Sequence, residues 1–169
     1  MTNNRRFINN ALLLTVALVL SWLEAQFPMI IPVPGIKLGL ANIVTLFALY
    51  ASTKTDAFLI LLLRIALLGV FSAQPVSFVY SLSGGLLSFA ALVITRKHTD
   101  DSQIWICSIM SAMFHNIGQI TAACLILKTA SILIYLPVLL LSGILSGLLT
   151  GLTAQEAIKR IRPLSNTDH

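Results

Sequence analysis

Pro28-Met29-Ile30-Ile31-Pro32-Val33-Pro34-Gly35-Ile36-Lys37-Leu38-Gly39-Leu40-Ala41-Asn42 separates two apolar segments, and its reading decides the architecture. Three prolines and a glycine exclude ordinary helix through residues 28–35, because proline removes a backbone donor and biases its predecessor away from the α region. Next to hydrocarbon, such backbone survives only if it is buried in protein, lines a cavity or lies at the surface. The stretch ends by setting Lys37 and Asn42 at the mouth of the next helix. That is the placement expected of a lid and one wall of a ligand site.

The flanking composition fixes the class. Of 169 residues, 57% are hydrophobic and 10% are charged, against about 25% charged in a soluble domain. The chain therefore reads as an all-α integral membrane protein, a single transmembrane domain over residues 1–169 with a disordered polar tail at 163–169. Apolar runs near 8–27, 37–51, 57–73, 76–95, 104–127 and 131–155 predict a bundle of six transmembrane helices. The second run falls short of the ~20 residues a crossing needs, so its helix is expected to be partial or tilted unless residues 30–36 join it. Arg5 and Arg6 ahead of the first run resemble a signal peptide, but Leu23 and Ala25 do not form a small-x-small cleavage site, and the run reads as a span.

Charge sets the orientation. With both termini cytoplasmic, Arg5, Arg6, Lys54, Arg96, Lys97, Lys159, Arg160 and Arg162 lie inside, and only Lys37 and Lys128 lie outside. This is a strong positive-inside bias. The basic residues form no stripe or motif of the kind that binds nucleic acid. Cys107 and Cys124 share one run, roughly 25 Å apart if it is helical, and are beyond disulfide reach.

Polar groups within the runs concentrate in the outer half, which argues for a pocket opening outward. Two readings stand for Gly35 and Lys37: contact with an anionic or carbonyl-bearing ligand, or a chain turn beside a lysine snorkelling to the headgroups. Arg64 sits mid-membrane and needs a partner, either Glu24 or a ligand phosphate or carboxylate. His115 and Gln119 share one helix face, and Asn116 is turned about 100° from His115 toward a neighbouring helix or the pocket edge. These groups and Asn42 are the substrate-site candidates. No second histidine or acid lies at metal-ligand spacing, and neither a metal nor any other cofactor is expected.

Gly143, Gly147 and Gly151 repeat every fourth residue, a ridge that lets another helix approach closely, in this chain or another. Ala11-x-x-x-Thr15 and Ala17-x-x-x-Ser21 are shorter versions in the first run. The sequence contains no P-loop for ATP and no G-x-S-x-G nucleophile motif. Asp100-Asp101 is followed by no third acid, so the carboxylate set that holds magnesium against a diphosphate in prenyl synthases is missing. No catalytic residue is assigned.

The six short apolar helices, the Pro-rich first outer loop, the segment Pro34-Gly35-Ile36-Lys37-Leu38-Gly39-Leu40-Ala41-Asn42 and the His115-Asn116 pair resemble the Gx transporter family. That family is also described as heptaprenyl diphosphate synthase component I. The resemblance covers roughly residues 8–160. The family is in turn similar to the substrate-binding S components of energy-coupling factor transporters. The resemblance implies a substrate-capture protein of the bacterial inner (cytoplasmic) membrane, embedded in the lipid bilayer and gated by its first outer loop. Its ligand would be a small molecule, anionic or isoprenoid-like. It would dock, through Ala11, Thr15, Ala17 and Ser21, on a coupling transmembrane subunit that works with ATPase subunits. The family's other name implies an accessory role in polyprenyl diphosphate metabolism.

Overall fold

Each apolar run forms a helix. A computed structural model of the chain describes residues 3–26, 39–72 and 74–165, except for the side chains of residues 3, 25, 72 and 161–165. The helices are α1 (Asn3–Gln26), α2 (Asn42–Ala51), α3 (Lys54–Ser72), α4 (Pro75–Arg96), α5 (Ile104–Leu127) and α6 (Leu136–Ser165), with short 3₁₀ turns at Asp101–Gln103 and Ser131–Tyr135. The expected all-α class is observed. Pro28 to Leu38, and with it Gly35 and Lys37, lies outside the described residues.

Local chemistry sets the breaks. The Thr53 hydroxyl accepts the Asp56 backbone N–H at 3.1 Å and so caps the first turn of α3. Pro75 opens α4, where its missing N–H costs nothing. Asp100 and Gln103 cap one another reciprocally ahead of α5. Lys128, at φ 50°, ends α5 in the left-handed conformation. α6 runs through Pro163 to Ser165, beyond the point where the sequence suggested a disordered tail.

The helices alternate in direction. Ala17, Leu49, Tyr50, Ala57, Ile60, Leu92, Ile104, Cys107, Ala154 and Ile158 gather in one apolar cluster. This cluster joins the ends of α2, α4 and α6 to the starts of α3 and α5. Tyr80, Ile120, Ala123, Ile132 and Leu139 gather at the opposite end. The first end is also tied by polar groups. Arg6 donates to both Asp56 oxygens at 2.9 Å, and Asn10, Ser52 and Thr53 converge on the same carboxylate. Arg96 donates to the Leu49 carbonyl and lies 4.6 Å over the Tyr50 ring, which supplies the C-terminus of α2 with a cation. Both cysteines are free, and Cys107 contacts Tyr50 Oη at 3.2 Å and Thr99 Oγ1 at 2.9 Å.

α5 is the central helix, held between α4 and α6 by glycines. A Cβ on Gly118 would lie 2.7 Å from the Ser83 carbonyl and 2.8 Å from Gly84 Cα. On the other side, Cβ atoms on Gly143, Gly147 and Gly151 would meet Asn116 Nδ2 at 2.8 Å, Ile109 Cα at 2.7 Å and Trp105 Cα at 2.6 Å. The glycine ridge of α6 is thus filled by α5 of the same chain. Polar contacts stitch the same seams, Ser88 to Ser111 at 2.7 Å and Ser108 to Thr150 at 3.0 Å.

Among the described residues, four segments are long and apolar enough to cross a membrane: Asn4–Glu24, Pro75–Arg96, Asp101–Leu127 and Ser131–Arg160. α2 has ten residues, a rise of about 15 Å against a hydrocarbon core of ~30 Å. It is a partial helix, one of the alternatives its short apolar run suggested.

Candidate functional site

α2 begins where a glycine turn meets the end of α1. Gly39 has φ 81°, a conformation that strains any side chain. A Cβ there would also lie 3.0 Å from Asn42 Nδ2 and 3.1 Å from His115 Cδ2. The turn is closed by Asn42 N–H on the Gly39 carbonyl at 2.9 Å and Ile43 N–H on the Leu40 carbonyl at 3.1 Å. The Gly39 and Leu40 N–H groups point the other way, and both donate to Glu24 Oε1, the second at 3.3 Å. A carboxylate from α1 therefore satisfies amides that no helical turn would reach.

Behind the turn lies a cavity of about 20 Å³, lined by Ser21 and Glu24 of α1, Gly39, Ala41 and Asn42, Arg64, Ile65 and Leu68 of α3, Ser81 of α4 and His115 of α5. A water molecule needs roughly 10–15 Å³, so this conformation admits a water-sized group. Glu24, Arg64 and His115 are each less than a tenth exposed.

Arg64 Nη2 donates to Asn42 Oδ1 at 3.1 Å. A guanidinium has no acceptor, so the Asn42 carbonyl must face it, and the amide nitrogen must face away. That nitrogen and Arg64 Nε are both buried without a hydrogen-bond partner among the described residues. Leaving a buried donor unpaired costs about 1–3 kcal/mol. Two buried donors on the lining thus have no acceptor among the described residues, which suits an oxygen-bearing ligand.

The structure sorts the sequence candidates. Asn42, Arg64 and His115 come together in the cavity. Asn116 does not join them. It turns to α6 and donates to the Leu139 carbonyl at 2.6 Å, the neighbouring-helix alternative that its 100° offset allowed. Gln119 is fully buried against Gly84, within the α4–α5 seam and outside the cavity lining. Glu24 shares the cavity with Arg64 but also holds the Gly39 turn, a role the sequence did not suggest. Ser21, read as a docking residue, lines the cavity, and Ala17 is packed in the core. Ala11 and Thr15 are exposed. The two small-residue pairs of α1 thus occupy different faces, one buried and one exposed.

Sequence reasoning missed Gly39 and Gly118 as positioning residues. A signal existed for Gly118, since a glycine inside an apolar helix usually marks a close approach. Among the described residues, no three His, Cys, Asp or Glu side chains gather as a metal site.

A family model described as "Heptaprenyl diphosphate synthase component I" matches residues 13–157. No curated protein and no solved structure matches the chain.

Proposed function

The chain belongs to the heptaprenyl diphosphate synthase component I family, and from that footing we propose that it is a membrane substrate-capture subunit of a small-molecule importer. In this reading it is a six-span bundle of the energy-coupling factor S-component type, with both termini cytoplasmic. The segment 28–38 gates an outward-facing site, and ATPase subunits drive release through a coupling subunit. The observation that supports it best is the buried pair of donors without a hydrogen-bond partner, Arg64 Nε and Asn42 Nδ2, on residues that line the cavity behind the Gly39 turn. Arg64, joined by Lys37, holds an anionic head, and Asn42 and His115 orient it. The small cavity corresponds to a head-group site, and any apolar remainder of the ligand lies toward the segment or the bilayer.

Mass spectrometry of small molecules retained by the purified protein identifies the ligand class. Arg64→Met is expected to weaken binding of that molecule at least tenfold, the loss of one charge-assisted contact. Unchanged affinity in both Arg64→Met and Lys37→Ala would end the assignment.

The family description favours a second reading, an accessory membrane component of polyprenyl diphosphate synthesis. It predicts co-purification with a soluble prenyl synthase and no dependence on ATPase subunits. A retained prenyl diphosphate would support it, whereas a vitamin-like molecule would support import.

A further inference from the structure

The cations where α1 begins and α4 and α6 end divide into two sets. Arg6 is held by Asp56 at 2.9 Å, Lys159 by Glu156 at 3.1 Å, and Arg96 by the Leu49 carbonyl and the Tyr50 ring. Arg5, Lys97 and Arg160 are exposed and make no ion pair among the described residues. At roughly 100° per residue, each of these three closes an exposed apolar stripe. On α1, Ile8, Leu12, Val16, Val19 and Leu23 are exposed and fall within about 60° of Arg5. On α4, Val79, Leu86 and Ile94 fall within about 60° of Lys97, and on α6, Leu145, Leu149 and Leu152 fall within about 80° of Arg160.

We propose that Arg5, Lys97 and Arg160 bind the phosphate groups of anionic phospholipids, whose acyl chains run along the three stripes. The proposal concerns an end of the bundle away from the cavity and stands whether or not a ligand is captured there. Its basis is the pairing of a charge with an apolar track. A stripe of Leu, Val and Ile in hydrocarbon meets the headgroup layer where it ends, and the side chain at that point meets phosphate. Net charge then selects the headgroup. The acids of this end are Asp56 and Glu156, each in one of the ion pairs above, and Asp100 and Asp101 in the turn between α4 and α5. Together with Lys54 and the paired cations, Arg5, Lys97 and Arg160 outnumber them. A zwitterionic headgroup carries its own ammonium and leaves that excess standing, whereas an anionic one neutralises it, at a gain of about fivefold in affinity for each cation. Lys54 is exposed at the same end but lies nine residues, half a turn, from Leu63 on the exposed face of α3. It has the charge without the track, and it holds no lipid in this account.

The test places the full chain in bilayer nanodiscs of equal parts phosphatidylglycerol and phosphatidylcholine with identical acyl chains. The protein is released into detergent, and the lipids that stay bound are counted by native mass spectrometry. The wild type is expected to retain phosphatidylglycerol over phosphatidylcholine by about fivefold, and to lose most of that preference at roughly 1 M salt, where the Debye length is about 3 Å. The triple variant Arg5→Gln/Lys97→Gln/Arg160→Gln is expected to retain the two lipids equally, and Lys54→Gln and Lys128→Gln to behave as wild type. Should the triple variant fail to fold, Arg5→Gln and Lys97→Gln are tested singly, and each is expected to remove one bound phosphatidylglycerol. Equal retention of both lipids by the wild type, a preference that survives the charge removals, or an equal loss in Lys54→Gln would overturn the proposal. Displacement of the lipid by glycerophosphate, the headgroup chemistry without chains, would make the cations a free-phosphate site and overturn it too. A wild type that retains no phosphatidylglycerol but binds polyglutamate would assign this end to an acidic protein instead.

Discussion

Asp56 shows how one buried acid organises an end of this protein. Its carboxylate receives Arg6, Asn10, Ser52 and Thr53 together, and the Arg6 hydrogen bonds, followed by those from Ser52, Thr53 and Asn10, hold it well below the usual carboxylate range. A carboxyl depressed by folding adds stability that is complete above its unfolded value, about 3.9, and is lost as pH falls through the lower folded value. The wild type is therefore expected to exceed Asp56→Asn by a constant margin in unfolding midpoint from about pH 8 to 5, with the margin shrinking below about pH 4. A margin independent of pH down to 2 would contradict this. Gly39 makes the second residue-scale prediction. Gly39→Ala meets both a left-handed backbone and contacts near 3 Å on Asn42 and His115. It is expected to cost about 1–3 kcal/mol and to weaken ligand binding more than an equally destabilising change elsewhere. Neither site was legible from residue type alone. Arg6 and Asn10 reach Asp56 from α1, about fifty residues away, and Glu24 reaches the Gly39 turn from the end of α1, contacts that no local pattern shows.

At the scale of elements, the α4–α5–α6 layer is built on missing side chains. Gly147→Ala would drive a Cβ to 2.7 Å from backbone Ile109 Cα, and backbone cannot step aside, so a loss of about 1–3 kcal/mol is expected. Leu145→Ala, on the exposed face, serves as the control and should change stability little. Equal effects of the two on the unfolding midpoint would argue against the packing account. The ridge itself was readable, since a small residue every fourth position can only mean close approach. Its partner was not, because the same ridge fits a helix of any chain. α1 gave the opposite lesson. Its small pairs looked alike in sequence, but packing buried Ala17 and Ser21 and left Ala11 and Thr15 exposed. Burial depends on neighbours that a single helix does not specify.

For the whole molecule, the alternating helices place Arg6, Asp56 and Arg96 at one end, and place Glu24 and the Gly39 turn away from that end. If the basic end is cytoplasmic, a membrane-impermeant maleimide should label Lys128→Cys in intact cells and Lys97→Cys only after permeabilisation, both in a background lacking Cys107 and Cys124. The reverse pattern would invert the proposed topology. The sequence by itself determined the helical class, the positions of the six apolar segments and their breaks, and the polar residues that burial makes conspicuous. These follow from hydropathy, proline and charge, which act locally and need no partner. Only the tertiary structure decided that Arg64, Asn42 and His115 share a cavity whereas Asn116 lies against α6 and Gln119 against α4. It alone engaged Glu24 with the turn that opens α2. The reason is geometric: a side chain's role in a bundle depends on the angle at which neighbouring helices meet it, and that angle is set by contacts between segments distant in sequence.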